Sequence, residues 1–443
     1  MPRNRSLWII AAAALGWILL KPWVHGASER FYLLLPPVAL ALLLTSRQPR
    51  KGRIIAHTAL AAACLIAVGA YVTRPLWRFS KFSPTAADSL LPQAGIVAYF
   101  LLGVAIVLTV AWVLSQRLGR AVSKRLVRSD APSRLASCSR AALGAAISLP
   151  LFIAFATPYV IAATYIHRFK IPNGTTPQRA LKRPFEDVAF TTADGYRLRG
   201  WFMPAPKGPS ARTVIICHGL NVNRAFFLGV CRIADGLNAN TFMFDFRGHG
   251  DSDGRTVSLG GHEGLDVVAA VDYLRQHRPA QCKELIGLGI SMGAAALIHG
   301  SSQLEKPLDF LILDSSFAAA TDLADGVVAP FPAAIRPWII APGVLLASLE
   351  AGCWLSDVRP EDWIRSVRAP VFIIHGQFDE MIPLAHGKRI FEKALPPKDC
   401  WWSPIRGHTT EVVTDPQEYI KRVRQFMDKT CAVTRGPARQ TGP

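Results

Sequence analysis

Residues 54–72, 95–115 and 141–166 contain no Asp, Glu, Lys or Arg. Each is close to or above the roughly 20 apolar residues that a helix rising about 1.5 Å per residue needs to cross a hydrocarbon core of about 30 Å. Two shorter apolar stretches precede them, 7–20 and 31–45. The second has Pro36 and Pro37 in its middle, which a membrane helix tolerates where neighbours satisfy the freed carbonyls. The pattern predicts a membrane region of about five transmembrane helices over residues 1–166. The first stretch has a second reading, a cleaved signal peptide ending near Gly26-Ala27-Ser28, although Trp23, Val24 and His25 make a poor approach to a cleavage site.

Charge supports the membrane reading over nucleic-acid binding. The chain has 50 Lys+Arg against 31 Asp+Glu, but the excess is confined. Residues 1–166 hold 18 bases and only three acids, whereas residues 167–443 hold 32 bases and 28 acids. The surplus sits in two loops: Arg47, Arg50, Lys51 and Arg53 in one, and Arg117, Arg120, Lys124, Arg125, Arg128, Arg134 and Arg140 in the other. Basic loops stay in the cytoplasm, so the last helix carries residues 167–443 to the non-cytoplasmic side. The three acids, Glu29, Asp88 and Asp130, all fall in loops. Acidic residues inside a span mark ion pathways, and their absence from these stretches argues for an anchor rather than a transporter.

Beyond residue 166 the long apolar runs give way to short ones separated by helical stretches. Residues 190–203 read as a hairpin around Asp194-Gly195. Apolar runs at 213–217, 241–246, 285–290, 310–313, 371–374 and 400–403 read as strands. Helices are expected at 264–276, with an apolar face of Leu265, Val268, Ala269, Val271, Tyr273 and Leu274, and at about 416–427. Strands alternating with helices imply a mainly parallel sheet. The expected organisation is a linker over 167–184, an α/β domain over 185–430 and a flexible tail over 431–443.

One turn carries a specific chemistry. Gly289-Ile290-Ser291-Met292-Gly293 follows a strand and precedes a helix, a setting that forces the serine outward while the glycines let strand and helix approach. A serine hydroxyl needs a base and an orienting acid. Asp379, at the end of the 371–374 strand, and His408, after the 400–403 strand, follow in the order this architecture uses. Asp314, closing the preceding strand, is a competing acid. An oxyanion needs backbone donors, and losing one side-chain donor of this kind costs around 3 kcal/mol. Met292 N–H is one, and Leu220 N–H, after Cys217-His218-Gly219, can be the other. His218 reads as a buttress of that loop, and Asn223 as a helix cap.

Asp194–Trp201, His218-Gly219, Asp245-Phe246-Arg247-Gly248-His249-Gly250-Asp251-Ser252, Gly289–Gly293, His375-Gly376 with Asp379, and Gly407-His408 occur in this order. Together they resemble the α/β-hydrolase fold serine hydrolases, most closely the branch of membrane-associated acyl hydrolases and serine aminopeptidase-like enzymes. The resemblance covers about residues 185–427. It implies a mainly parallel sheet with flanking helices and a helical cap, placed here at about 318–369. It also implies Ser291 as nucleophile, Asp379 as acid, His408 as base, and Leu220 with Met292 as the oxyanion hole. Asp245–Ser252 would be a structural loop beside the site.

The expected function is therefore a membrane-anchored serine hydrolase of ester or thioester bonds, with the bilayer and a small acyl-ester or peptide substrate as partners. This chemistry requires no cofactor and no metal. An aminopeptidase-like activity and a non-catalytic binding protein are the alternatives. The six cysteines after residue 166 have no metal-like spacing; Cys217, at a central strand end, should be buried.

Overall fold

The computed structural model describes residues 170–328 and 336–435, together with residues 117, 166, 333 and 334. The five apolar segments expected to span a membrane lie outside the described residues, apart from Ile166 at the end of the last. Among the described residues no helix is long and apolar enough to cross a membrane. The chain divides into two compact units, Met1–Ile161 with Val327–Gly343 and Ala162–Gly326 with Val344–Pro443.

The second unit is built on an eight-stranded sheet in the order β1-β2-β4-β3-β5-β6-β7-β8. The strands are β1 Glu186–Thr191, β2 Arg197–Met203, β3 Arg212–Cys217, β4 Asn240–Phe244, β5 Glu284–Ile290, β6 Phe310–Asp314, β7 Val371–Phe378 and β8 Lys398–Arg406. β1 and β2 form the expected hairpin, and β2 pairs antiparallel with β4. Every later pairing is parallel. The hairpin turns at Gly195, whose φ of 90° is open to glycine at little cost.

Both faces of the sheet are covered, which explains why the central strands read as continuous apolar runs. Side chains alternate between faces along a strand. Ile215 and Cys217 enter one layer, with helices α1 (Glu263–His277), α2 (Met292–Gln303) and α3 (Leu384–Lys393); Val214 and Ile216 enter the other, with the helix Cys231–Gly236 and α4 (Pro416–Arg435). Cys217 is buried as expected, and all six described cysteines are free thiols.

Three expectations shift. Of the expected face of α1, Val271 and Leu274 are fully buried, joined by Val267 and Ala270. Val268, Ala269 and Tyr273 are half-buried against the core, and with Leu265 and Phe190 they line a cleft. The helix is apolar around much of its circumference, so the pattern alone does not select the row that meets the sheet. The last helix, α4, runs to Arg435, because Thr430 is buried and Cys431 packs against the core. From residue 170 the stretch expected as a linker is hydrogen-bonded to the domain and includes the helix Pro177–Leu181, capped by Thr176.

Between β6 and β7, where the cap is expected, the chain forms short helical pieces and one longer helix, Arg336–Ala351. Within the second unit Ala347, Ala351, Leu355 and Val358 bury against Leu259, Ala295, Phe317 and Ile382.

Candidate active site

Ser291 occupies the step between β5 and α2, at φ 57° and ψ −121°. A non-glycine residue there is strained, and such strain persists only where the surroundings enforce it. Two glycines do so. A Cβ on Gly293 would lie 2.2 Å from the Cys217 carbonyl oxygen and 2.5 Å from that of His218, and one on Gly289 would lie 2.6 Å from the Ala294 Cα. The absence of side chains lets α2 start directly against the end of β3. The serine's own N–H donates to the Asp314 carbonyl at 2.8 Å, which ties the turn to β6.

His408 is delivered by a second strained turn. Gly407 has φ 112° and Thr409 φ 56°, so the histidine projects between two left-handed residues. Its Nδ1 lies 2.7 Å from Asp379 Oδ2, and its Nε2 lies 2.9 Å from Ser291 Oγ. A carboxylate only accepts, so Nδ1 carries the proton and Nε2 is the acceptor facing the serine hydroxyl. The Asp379 carboxylate is enclosed, and its other oxygen, Oδ1, accepts the N–H groups of Met381 and Ile382, both at 2.9 Å. β7 continues past the expected end at residue 374 to Phe378, placing Asp379 immediately after the strand.

The residues expected to carry the oxyanion donors adjoin the serine turn. Met292 is the first residue of α2, where N–H groups lack an intrahelical acceptor. Leu220 follows Gly219, where a Cβ would stand 3.5 Å from that of Ser291. His218 is completely buried; its Nδ1–H donates to the Gly219 carbonyl at 2.8 Å, and its Nε2 accepts the Phe246 N–H at 3.1 Å. Burial pushes its pKa down, keeping it neutral. It holds the loop and has no nitrogen left for chemistry. Asn223 caps the helical turn Arg224–Val230 by accepting the Phe226 N–H.

The Asp245–Ser252 loop is a buried ion-pair scaffold. Arg247 lies between Asp266 and Asp194, at 2.6 Å from each, and Arg224 pairs with Asp245 and Asp251 while lying over the Trp201 ring. Asp251 and Ser252 take part in it: Ser252 Oγ donates to the Asp245 carbonyl at 2.6 Å.

Asp314, the competing acid, does not reach His408 Nδ1, which is already bonded to Asp379. Its carboxylate accepts the Ser315 hydroxyl at 2.9 Å, beside Tyr419 and Glu411, all of them fully buried. Burial, reinforced by the Glu411 charge, pushes the Asp314 carboxyl up to about 8, and burial raises Glu411 too. The folded protein thus keeps a proton that the unfolded chain releases near its ordinary value of 3.8. Its contribution to stability is full below that value and is lost as pH rises toward about 8. In thermal melts the midpoint of the wild type should fall across this window, and Asp314→Asn, uncharged throughout, should flatten the fall. An unchanged slope would show that Asp314 is ionised in the fold.

The family described as "Alpha/beta hydrolase family" matches residues 214–423. The uncharacterized protein YqkD of Bacillus subtilis is 30% identical over 249 residues, covering 55% of this chain and 80% of that protein. The alpha/beta hydrolase domain-containing protein WAV2 of Arabidopsis thaliana is 29% identical over 261 residues, covering 57% of this chain and 82% of that protein. Among solved structures the Pyrococcus furiosus esterase Pf2001 superposes with a TM-score of 0.50 at 24% identity, covering 60% of this chain and 98% of that one.

Proposed function

We propose that this chain, which belongs to the alpha/beta hydrolase family, is a membrane-anchored serine hydrolase of ester or thioester bonds. The observation that carries the reading is the continuous relay from Ser291 Oγ through His408 to Asp379, with links of 2.9 and 2.7 Å. Ser291 Oγ attacks the acyl carbonyl as its proton passes to His408 Nε2, and the Leu220 and Met292 amides receive the oxyanion. His408 returns that proton to the departing alkoxide or thiolate. A water, deprotonated by the same nitrogen, then cleaves the acyl-enzyme and regenerates Ser291. Asp379, bonded to His408 Nδ1, holds the ring and stabilises the imidazolium.

The name esterase belongs to the Pyrococcus protein; for this chain the ester preference rests on the relay and on a sequence in which no acidic pair for a peptide's N-terminal amine stands out. Membrane anchoring, and with it a catalytic domain on the non-cytoplasmic side, is supported by the apolar stretches and basic loops of residues 1–166.

The test is labelling of membranes containing the full chain with a fluorophosphonate probe. The wild type should label and stay in the pellet after an alkaline carbonate wash, and Ser291→Ala should not label. A folded wild type that fails to label would support a hydrolase fold used for binding alone. Labelled protein released by the wash would remove the membrane anchor but leave the chemistry standing.

A further inference from the structure

We infer that residues Ile171–Asn173 form a strap that positions the oxyanion loop, with Asn173 as a positioning residue for the hydrolysis; this rests on the serine-hydrolase reading. The loop runs from His218 to Ala225 and carries Leu220. Its first end is fixed locally, by the His218 ring between the Gly219 carbonyl and the Phe246 N–H. Its other end is held by residues some fifty positions earlier in the chain. Asn223 Nδ2 donates to the carbonyls of Ile171 at 2.8 Å and Pro172 at 3.2 Å. Asn173 Oδ1 accepts the Ala225 N–H at 3.2 Å, while its Nδ2 donates to Asp245 Oδ2 at 3.0 Å and Asp251 Oδ2 at 2.7 Å.

The carboxylates that Asn173 bridges hold the same loop a second time. Asp245 Oδ1 accepts the Arg224 N–H at 2.7 Å, and the Arg224 guanidinium pairs with both acids. Asn223 and Arg224 are each 4% exposed and Asp245 is fully buried. At these buried groups water cannot replace a lost partner cheaply and the loop must move to recover one, whereas Asp251, about half exposed, can turn to solvent. Between the two anchors lies Leu220, followed by Asn221 at φ 65°. An oxyanion donor acts only within a few tenths of an ångström of its place. A loosened strap therefore weakens transition-state binding more than substrate binding, which is a loss in kcat rather than in KM.

The experiment uses the detergent-solubilised full chain, p-nitrophenyl butyrate as substrate, and kcat per site titrated with fluorophosphonate. Asn173→Ala should lower kcat about 10- to 100-fold, below the loss of an entire donor, with KM within a few-fold. The inhibition constant of butylboronic acid, which mimics the tetrahedral intermediate, should rise by a similar factor. Asn173→Asp keeps the acceptor facing Ala225 but loses both donations to the acids, so it should shift kcat in the same direction. Lys170→Ala is the control, since Lys170 Nζ donates to the Ser252 carbonyl and not to the oxyanion loop; its kcat should match the wild type. A lower melting temperature in the Asn173 variants with unchanged kcat and boronate binding would overturn the proposal, leaving Asn173 a purely structural residue. A wild type that takes up no fluorophosphonate would instead overturn the serine-hydrolase reading, and this inference with it.

Discussion

Replacing His408 with alanine should lower kcat by about 10⁶-fold, the scale seen when the base of a serine triad is removed and only oxyanion and binding contributions remain. The expectation is this large because two other described histidines at strand ends, His218 and His375, are held by backbone groups. His218 has both nitrogens committed to backbone groups, and the fully buried His375 donates its Nε2–H to the Ile382 carbonyl at 2.8 Å. Burial pushes the pKa of both rings down. Ser291→Ala should cost a similar amount, and the double variant little more, because residues acting as a unit are not additive. Steady-state hydrolysis of a chromogenic ester reads all three. A His408→Ala enzyme retaining one part in a hundred of the wild-type kcat would mean that a different group takes the serine proton.

Asp379→Asn should cost about 10⁴-fold in kcat while leaving the fold intact, and the geometry gives the reason. The Met381 and Ile382 amides donate to Oδ1, so the asparagine must keep its carbonyl oxygen there. Its NH₂ then lies where Oδ2 was, facing His408. Two donors cannot face each other, so His408 moves its proton to Nε2 and presents Ser291 with a donor instead of a base. Asp314→Asn should leave kcat within a few-fold of the wild type. If these outcomes were exchanged, Asp314 would be the acid and Asp379 a turn residue.

The parts of this site that were legible in the sequence are those that local chain geometry dictates. Ser291 could be found because its turn needs glycine at 289 and 293, and Asp379 and His408 because each follows a short apolar strand. The buttressing role of His218 was readable from its place before Gly219. The row of α1 that meets the sheet was readable only in part: Val271 and Leu274 are buried as expected, but Leu265, Val268 and Ala269 are as apolar as Val267 and Ala270, which are buried more deeply. The strap was not legible. Asn173 lies in a stretch that reads as a linker, and its meaning comes from Ala225, Asp245 and Asp251, which only the folded chain brings to it. The carboxyl cluster of Asp314 and Glu411 was hidden for the same reason, because acidic residues at strand and helix ends read as solvated until their burial is known.

The two links of the relay differ in how they can fail. Asp379 and His408 leave β7 and β8, which are hydrogen-bonded neighbours with His375 opposite Trp402 and Gly376 opposite Ser403. The paired strands fix the two residues to a common register, in which a slip moves a strand by about 3.3 Å, although an irregularity between Gly376 and Phe378 lies just before Asp379. That link therefore depends on the pairing of the sheet. The link from His408 to Ser291 joins β8 to a turn held by backbone strain and two glycines, and it can drift continuously. Gradual change in this protein, from heat, substitution or the occupant of the site, is therefore expected first in the distance between serine and histidine, while the acid and the base share the pairing of one sheet edge.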